Sequence, residues 1–179
     1  MIAIRKLSLS HPDFQLVWEL LLKVFPPRER IDLPALFQRF NATLLGIYTG
    51  KKTSQFTGFL IVIEDELMVY LLYFVTSSSK GTTDIGTQAL HALLERYSGR
   101  PVMMTYAIDS QPNDNSATQS ESRCAFYLRN GFYECPWSVL YRDSEYGLAS
   151  SDESVDNSVI ERLLHLCRVL GVNFYTHSG

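Results

Sequence analysis

The chain is short of the features that mark a metal site, a membrane span or a polyanion-binding surface. Its cysteines number three, Cys124, Cys135 and Cys167. Their number is odd and their spacing matches no metal or redox motif, which points to a reducing compartment rather than a disulfide framework. The four histidines do not cluster; His91 and His165 fall on expected helices and read as surface or satisfied core residues. No Ser-His-Asp order and no metal-ligand spacing emerges, and the Ser/Lys/Gly loop near residue 80 lacks the Gly-Lys-Ser/Thr of a phosphate-binding P-loop. No apolar run approaches a membrane span, because Glu64, Asp65 and Glu66 interrupt the longest one. The opening "MIAIRKLSLSHPDF" alternates apolar and polar residues and lacks the apolar core of a signal peptide. An excess of basic charge is also lacking: Lys and Arg number 16 against 19 Asp and Glu, a net charge of −3, so no nucleic-acid partner is expected. A soluble, cytoplasmic protein with no membrane partner follows as the expectation.

What is present reads as one ordinary globular domain with a small appendage. The length of 179 residues is enough to bury a substantial core. "IAIRKLSL" alternates like a strand. Ser10 followed by Asp13 resembles a capping box, so a helix is expected there, running through "FQLVWELLLKVF" until Pro26-Pro27 stops it. "LPALFQRF" reads as a second short helix, with Asp32 as N-cap and Pro34 in its first turn. "TLLGIYT", "QFTGFLIVIE" and "LMVYLLYFVT" are three consecutive strands. After the polar loop "SSSKGTTD", "IGTQALHALLERY" is an amphipathic helix ended by Gly99, with Pro101 beyond. "VMMTYAI" is a buried strand, and a long polar loop leads into the helix "RCAFYLRN". "FYECPWSVLYRD" is a strand in which Pro136 implies a bulge or an edge. "LASSDESVDNS" reads as a linker, followed by a last amphipathic helix closed by Gly171. That helix, Val155 to Leu170, gathers Val155, Val159, Leu163, Leu166, Cys167 and Leu170 near one face. It either packs on its own domain, makes a homodimer contact or covers a site. Strands and helices in this order predict a mixed α/β sheet with helices on both faces.

The stretch "RCAFYLRNGF" sets two aromatics on a helix, stops it with Asn130-Gly131 and restarts with Phe132. Gly131 suits the left-handed conformation of a helix stop, and Phe132 can pack back on Phe126. The corner is a structural staple on that reading alone.

Together, "R-x-x-FY-x-x-NGF", the strand-loop-helix "YLLYFVTSSSKGTTDIGTQAL" and "FPPRER" after the first helix resemble the GNAT superfamily of acetyl-CoA-dependent N-acetyltransferases. The resemblance covers roughly residues 1–145, so residues 1–147 are expected to form a GNAT-like domain, with 148–179 a linker and helix appended to it. It implies a mostly antiparallel sheet whose fourth and fifth strands splay apart. It implies acetyl-CoA as cosubstrate and a primary amine of a small molecule or peptide as acceptor. The pantetheine arm would pair with the fourth strand near Phe74 and Val75. The pyrophosphate would sit at the start of the following helix, on Lys80, Gly81, Thr82, Thr83, Asp84, Ile85, Gly86 and Thr87, where unpaired N–H groups and the helix dipole favour an anion.

The chain departs from the family pattern in this loop. Gly81 stands where Arg or Gln is usual, and Asp84 where a glycine is usual. A carboxylate there caps the helix well, yet brings a negative charge toward an anion. The repulsion is about 1 kcal/mol at 4 Å in water. A catalytically degenerate GNAT-like binding module is therefore the alternative to an enzyme.

Tyr127 matches the tyrosine that in the family often protonates the leaving thiolate; otherwise it is a half-buried core tyrosine. Glu29, beside the expected acceptor site, and Asp109, at the end of the fifth strand, are the candidate bases; their other readings are a surface charge and a turn residue. Asn130 is either a helix cap or a coenzyme contact. Tyr70, Tyr73 and Tyr106 line the acceptor cleft or pack the strands. Cys124 reads as a small buried hydrophobe.

Overall fold

The computed structural model describes residues 2–50, 54–77, 85–108, 123–141, 144–171 and 176–178. The chain forms two compact units, Met1–Asp65 with Leu71–Arg96, and Glu66–Tyr70 with Tyr97–Gly179.

The first unit holds β1 (Ile2–Leu7), α1 (Phe14–Val24), a 3-10 turn (Pro27–Glu29), α2 (Leu33–Arg39), β2 (Ala42–Thr49), β3 (Gln55–Glu64), most of β4 (Val69–Thr76) and α3 (Ile85–Arg96). Its strands lie in the order β1-β2-β3-β4. β1 and β2 pair antiparallel with Ile4 opposite Ile47, and β2 and β3 with Leu45 opposite Leu60. Consecutive residues of β2 and β3 are buried, so both faces of these strands are covered; such strands read as continuous apolar runs rather than alternating ones. The β2–β3 ladder shifts register between Ile47 and Tyr48. Thr57 is the extra residue there, and its hydroxyl donates to the Ile47 carbonyl at 3.2 Å.

The two helices expected ahead of β2 are present, but only one is capped as expected. Asp32 accepts from the Ala35 N–H at 3.0 Å, with Pro34 in the first turn of α2. Asp13 precedes α1 without capping it. Its carboxylate instead accepts from the Tyr48 hydroxyl at 2.6 Å, while Ser10 shares a 3.0 Å hydrogen bond with Ser8. The capping box is not formed because a better partner, a buried phenol of β2, claims the carboxylate.

The second unit holds β5 (Val102–Ile108), α4 (123–129), β6 (Tyr133–Tyr141), β7 (Ser144–Ser150), α5 (Asn157–Val169) and β8 (Thr176–Ser178). The order is β5-β7-β6-β8, and the three pairings are antiparallel. At its margin the Val69 N–H of β4 donates to the Pro101 carbonyl at 2.9 Å. Around Pro136 the β6–β7 register jumps from Cys135 to Ser138, the bulge that a proline inside a paired strand requires.

Three sequence expectations are corrected here. Leu148–Ser150 belong to β7, a strand paired on both edges, and not to a linker; the boundary expected at residue 147 falls inside that strand. Its stretch "SEYGLAS" shows no apolar alternation, and three of its four buried positions, Gly147, Ala149 and Ser150, are small. α3 ends at Arg96, and Gly99 does not adopt a positive φ. α5 begins at Asn157 rather than Val155, with Asp156 accepting from the Ser158 N–H at 2.7 Å. Gly171, with φ of 84°, closes α5 as expected. The three-residue strand β8 carries no apolar signal and was not anticipated. Val159, Ile160, Leu163 and Cys167 of α5 are buried within the monomer. Among the described residues, no helix is long and apolar enough to cross a membrane.

Candidate active site

In the second unit the site is built on the corner that ends α4. Gly131 adopts φ of 89°, a conformation that costs glycine little. The Asn130 and Phe132 N–H groups both donate to the Tyr127 carbonyl, at 2.9 and 3.2 Å, and the buried Asn130 amide donates to the Phe126 carbonyl at 2.7 Å. The Phe126 and Tyr127 carbonyls, in the helix's last turn, are thus satisfied from within the corner. The bond from Phe132 carries its ring to Tyr127, 5.8 Å between centroids, rather than to Phe126. Phe126 meets Tyr127 edge-on at 5.4 Å. Tyr127 is therefore gripped by two rings. Burial pushes its phenol up to about 12, against a small lowering by the Arg123 charge. It stays protonated at any physiological pH.

Next to the corner lies a cluster that sequence reasoning did not find. Tyr106 of β5 faces Gly147 of β7 across the ladder. A side chain on Gly147 would fall 2.6 Å from the Tyr106 hydroxyl, so glycine is what lets the ring lie across the strand. The hydroxyl donates to Glu134 of β6 at 2.7 Å, and the Cys124 thiol of α4 reaches the same carboxylate at 3.5 Å. Burial raises the Tyr106 phenol and the Cys124 thiol alike. Cys124 is thus a protonated thiol, not an activated nucleophile. A glycine amid strand residues was the available signal for this close approach.

Tyr70 and Tyr73 are both buried, and their hydroxyls are engaged. Tyr70 shares a 3.1 Å hydrogen bond with Thr105 and also meets the Cys167 thiol of α5. Tyr73 belongs to the first unit, where its hydroxyl donates to the Glu29 carbonyl at 2.6 Å and accepts from the Ile31 N–H at 3.0 Å. Glu29 thus lies beside the strand that carries Phe74 and Val75, and its carboxylate stands 3.9 Å from Arg28. Arg30 folds back onto the end of α1, donating to the Phe25 and Leu22 carbonyls at 2.7 and 2.8 Å.

Val75 of β4 is buried and Phe74 partly so. β3 approaches them closely at Gly58, and just beyond, the Ser77 N–H and hydroxyl both donate to the Thr57 carbonyl, at 2.7 and 3.0 Å. α3 opens with buried Ile85, then Gly86 and Thr87, both partly exposed. Lys80, Gly81, Thr82, Thr83, Asp84 and Asp109 lie outside the described residues. The expected site residues thus fall in two groups. Glu29, Phe74, Val75, Ile85, Gly86 and Thr87 belong to the first unit, and Tyr127 and Asn130 to the second.

Comparison with solved structures assigns the fold. A GNAT-family protein from Bacteroides thetaiotaomicron, described as an acetyltransferase, superposes with a TM-score of 0.70 at 22% identity, over 96% of this chain and 99% of its own. An aminoglycoside 6'-N-acetyltransferase complexed with coenzyme A matches with a TM-score of 0.59 at 15% identity, over 86% of this chain and 99% of its own. The ribosomal-protein-S18-alanine N-acetyltransferase of Escherichia coli matches with 0.57 at 13% identity, over 87% and 99%. No protein-family model and no curated protein matches the sequence. The chain has the GNAT fold, a mixed α/β arrangement around a mostly antiparallel sheet.

Proposed function

We propose that the protein transfers an acetyl group from acetyl-CoA to a primary amine of a small molecule or peptide. The observation that carries this reading is the GNAT fold shared over nearly the whole chain with a named acetyltransferase. The FY-NGF corner and solved neighbours that hold coenzyme A support it. The acceptors worth testing first are those in the names of two neighbours, an aminoglycoside and an alanine N-terminus.

The residues present suit such a cosubstrate. β4 supplies backbone groups at Phe74 and Val75. α3, twelve residues long, begins with N–H groups that have no partner within the helix and that favour a pyrophosphate. Gly86, in its first turn, adds no side chain to obstruct that approach. Acetyl-CoA supplies the activated acetyl group as a thioester.

Tyr127 takes its role from its protonation. A phenol at about 12 holds its proton several thousandfold more tightly than a thiol of ordinary pKa, about 8.5, does. Full transfer to the departing sulfur is uphill, so Tyr127 acts by donating a hydrogen bond that stabilises the developing thiolate. That interaction is stronger in the transition state than in the ground state. The proton that finally rests on sulfur comes from the amine as its nitrogen bonds to the acetyl carbon. Glu29 and Asp109 are the candidates to carry it away from nitrogen.

Calorimetry and thermal melting with acetyl-CoA test the first half. At about 100 times Kd a native-state ligand adds about 2.7 kcal/mol, which raises the melting point by roughly 5–10 °C for a chain of this length. Thiol release with kanamycin A and with a tetrapeptide bearing a free N-terminal alanine tests the second. No heat and no melting shift at millimolar acetyl-CoA would remove the enzyme reading. The degenerate binding module, suggested by Asp84 in the phosphate loop, would take its place.

A further inference from the structure

We propose that Tyr73 is a positioning residue that latches the Pro26–Ile31 segment to β4 and so presets the wall against which the amine acceptor binds. This rests on the acetyl-transfer reading, in which that segment lies on the acceptor side and β4 carries the cosubstrate.

The latch is visible in the hydrogen bonding. Tyr73 is 4% exposed in the middle of β4. Its hydroxyl both donates and accepts on one short piece of main chain, giving its proton to the Glu29 carbonyl at 2.6 Å and accepting from the Ile31 N–H at 3.0 Å. The two groups flank Arg30, whose guanidinium reaches back to Phe25 and Leu22. The Phe25 ring meets Tyr73 edge-on, 4.8 Å between centroids. Pro26 and Pro27 restrict φ at the entry, and the Glu29 N–H closes the 3-10 turn on the Pro26 carbonyl at 2.9 Å. The Glu29–Ile31 end of the segment is thereby tied twice, to α1 through Arg30 and to β4 through the phenol. Glu29, the candidate base of this unit, sits on the part that the phenol holds.

A segment fixed in this way is a pre-formed wall, not a lid that closes on substrate. Order imposed before binding is not charged against affinity when the acceptor arrives. Removing the hydroxyl should therefore weaken acceptor binding while leaving acetyl-CoA binding alone. A merely structural tyrosine would lower stability and both affinities together.

The test is Tyr73→Phe, which keeps the ring and its contact with Phe25. Amide hydrogen exchange at Ile31 should quicken by about 5- to 30-fold, the factor for one lost hydrogen bond, while Leu44 and Leu45 in β2 keep their protection. KM for whichever of kanamycin A or the alanine-led tetrapeptide is acetylated should rise about fivefold or more, with KM for acetyl-CoA unchanged within twofold. Equal exchange at Ile31 in the two proteins overturns the latch, whatever the activity. Faster exchange with an unchanged acceptor KM overturns its service to the acceptor. If the wild-type protein binds acetyl-CoA but acetylates neither amine, the transfer reading and the acceptor half of this proposal fall together, and the exchange result alone decides the latch.

Discussion

Replacing Gly58 with alanine would set a methyl group against main chain that has nowhere to go. The new carbon would overlap the Val75 carbonyl oxygen and stand 2.9 Å from the Thr76 Cα and 3.1 Å from the Val75 carbonyl carbon. These are backbone atoms of β4, not the ends of flexible side chains, so the strand must shift. Gly58 does not have a positive φ, and the penalty is contact alone. Overpacking of this kind typically costs about 1–3 kcal/mol. Displacing β4 also loosens the Ser77 hydrogen bonds to Thr57, each worth about 1 kcal/mol. A total near 3 kcal/mol lowers the melting point by roughly 6–12 °C in a chain of this size. The matched control is Gly99→Ala: nothing lies within 4 Å of the added carbon and φ is not positive there. That change should be neutral, or stabilise by a few tenths of a kcal/mol by restricting the unfolded chain, of the order of about 0.4–1 kcal/mol at best. Thermal melts and urea midpoints of the two variants give the comparison directly. A Gly58→Ala protein that melts within 2 °C of its Gly99→Ala counterpart, a gap smaller than about 1 kcal/mol would produce, refutes the close approach of β3 to β4. Since Val75 is a proposed cosubstrate contact, acetyl-CoA affinity should fall in the Gly58 variant as well.

Tyr127→Phe should lower kcat by about 100-fold, the loss typical of removing one donor to developing charge, with little change in acetyl-CoA affinity; an unaltered kcat with chemistry rate-limiting removes the hydrogen-bond role. Tyr48 tests the Asp13 contact through pH. Burial first, and then the bond to Asp13, raise its phenol to about 12. The stability it contributes is complete below about pH 10, the unfolded value, and is lost as the pH climbs toward 12. Urea midpoints of Tyr48→Phe should therefore fall less steeply over that window, and parallel curves for the two proteins would contradict the contact. Asp84→Gly is expected to tighten acetyl-CoA binding about fivefold in calorimetry, with the gain shrinking as salt is added; equal or weaker binding would require the phosphate loop to be realigned.

The long apolar stretches announced themselves, β2 and β3 as continuous runs between turn signals and α1 by its helical period, and the Asn130-Gly131 stop lies where the glycine put it. Legibility failed where a residue's role depends on a distant partner. Asp13 looked like a cap until Tyr48, 35 residues away, took its carboxylate. Phe132 was expected on Phe126, but its N–H bonds to the Tyr127 carbonyl and brings the ring to Tyr127 instead. The strand β7 was invisible because its burial comes from neighbours on both edges, and small residues such as Gly147 and Ala149 satisfy that place without any hydrophobic period. The FY-NGF motif marked the helix stop on which Tyr127 and Asn130 sit. Neither Tyr73's grip on the Glu29 segment nor the reach of Tyr106 over Gly147 to Glu134 could be read in advance. Both are pairings across the fold, and one sequence holds no register between strands.

The placement of β7 between β5 and β6 also sets an order of events during synthesis. β5 leaves the ribosome with an open edge, and the strand that covers it, Ser144–Ser150, is encoded roughly forty residues downstream. At about 5–20 residues per second, that edge waits about 2–8 s for its partner. The waiting segment, "VMMTYAI", is apolar and rich in strand formers, the composition that pairs readily with the wrong neighbour. When β7 does emerge it can pair first with β6, its antiparallel neighbour, and the pair then docks on β5 as a unit. The nascent chain is thus most exposed to aggregation in the interval between β5 and β7. Slowing translation while β5 has left the ribosome and β7 has not should lower the yield of native protein more than slowing it once β7 is out.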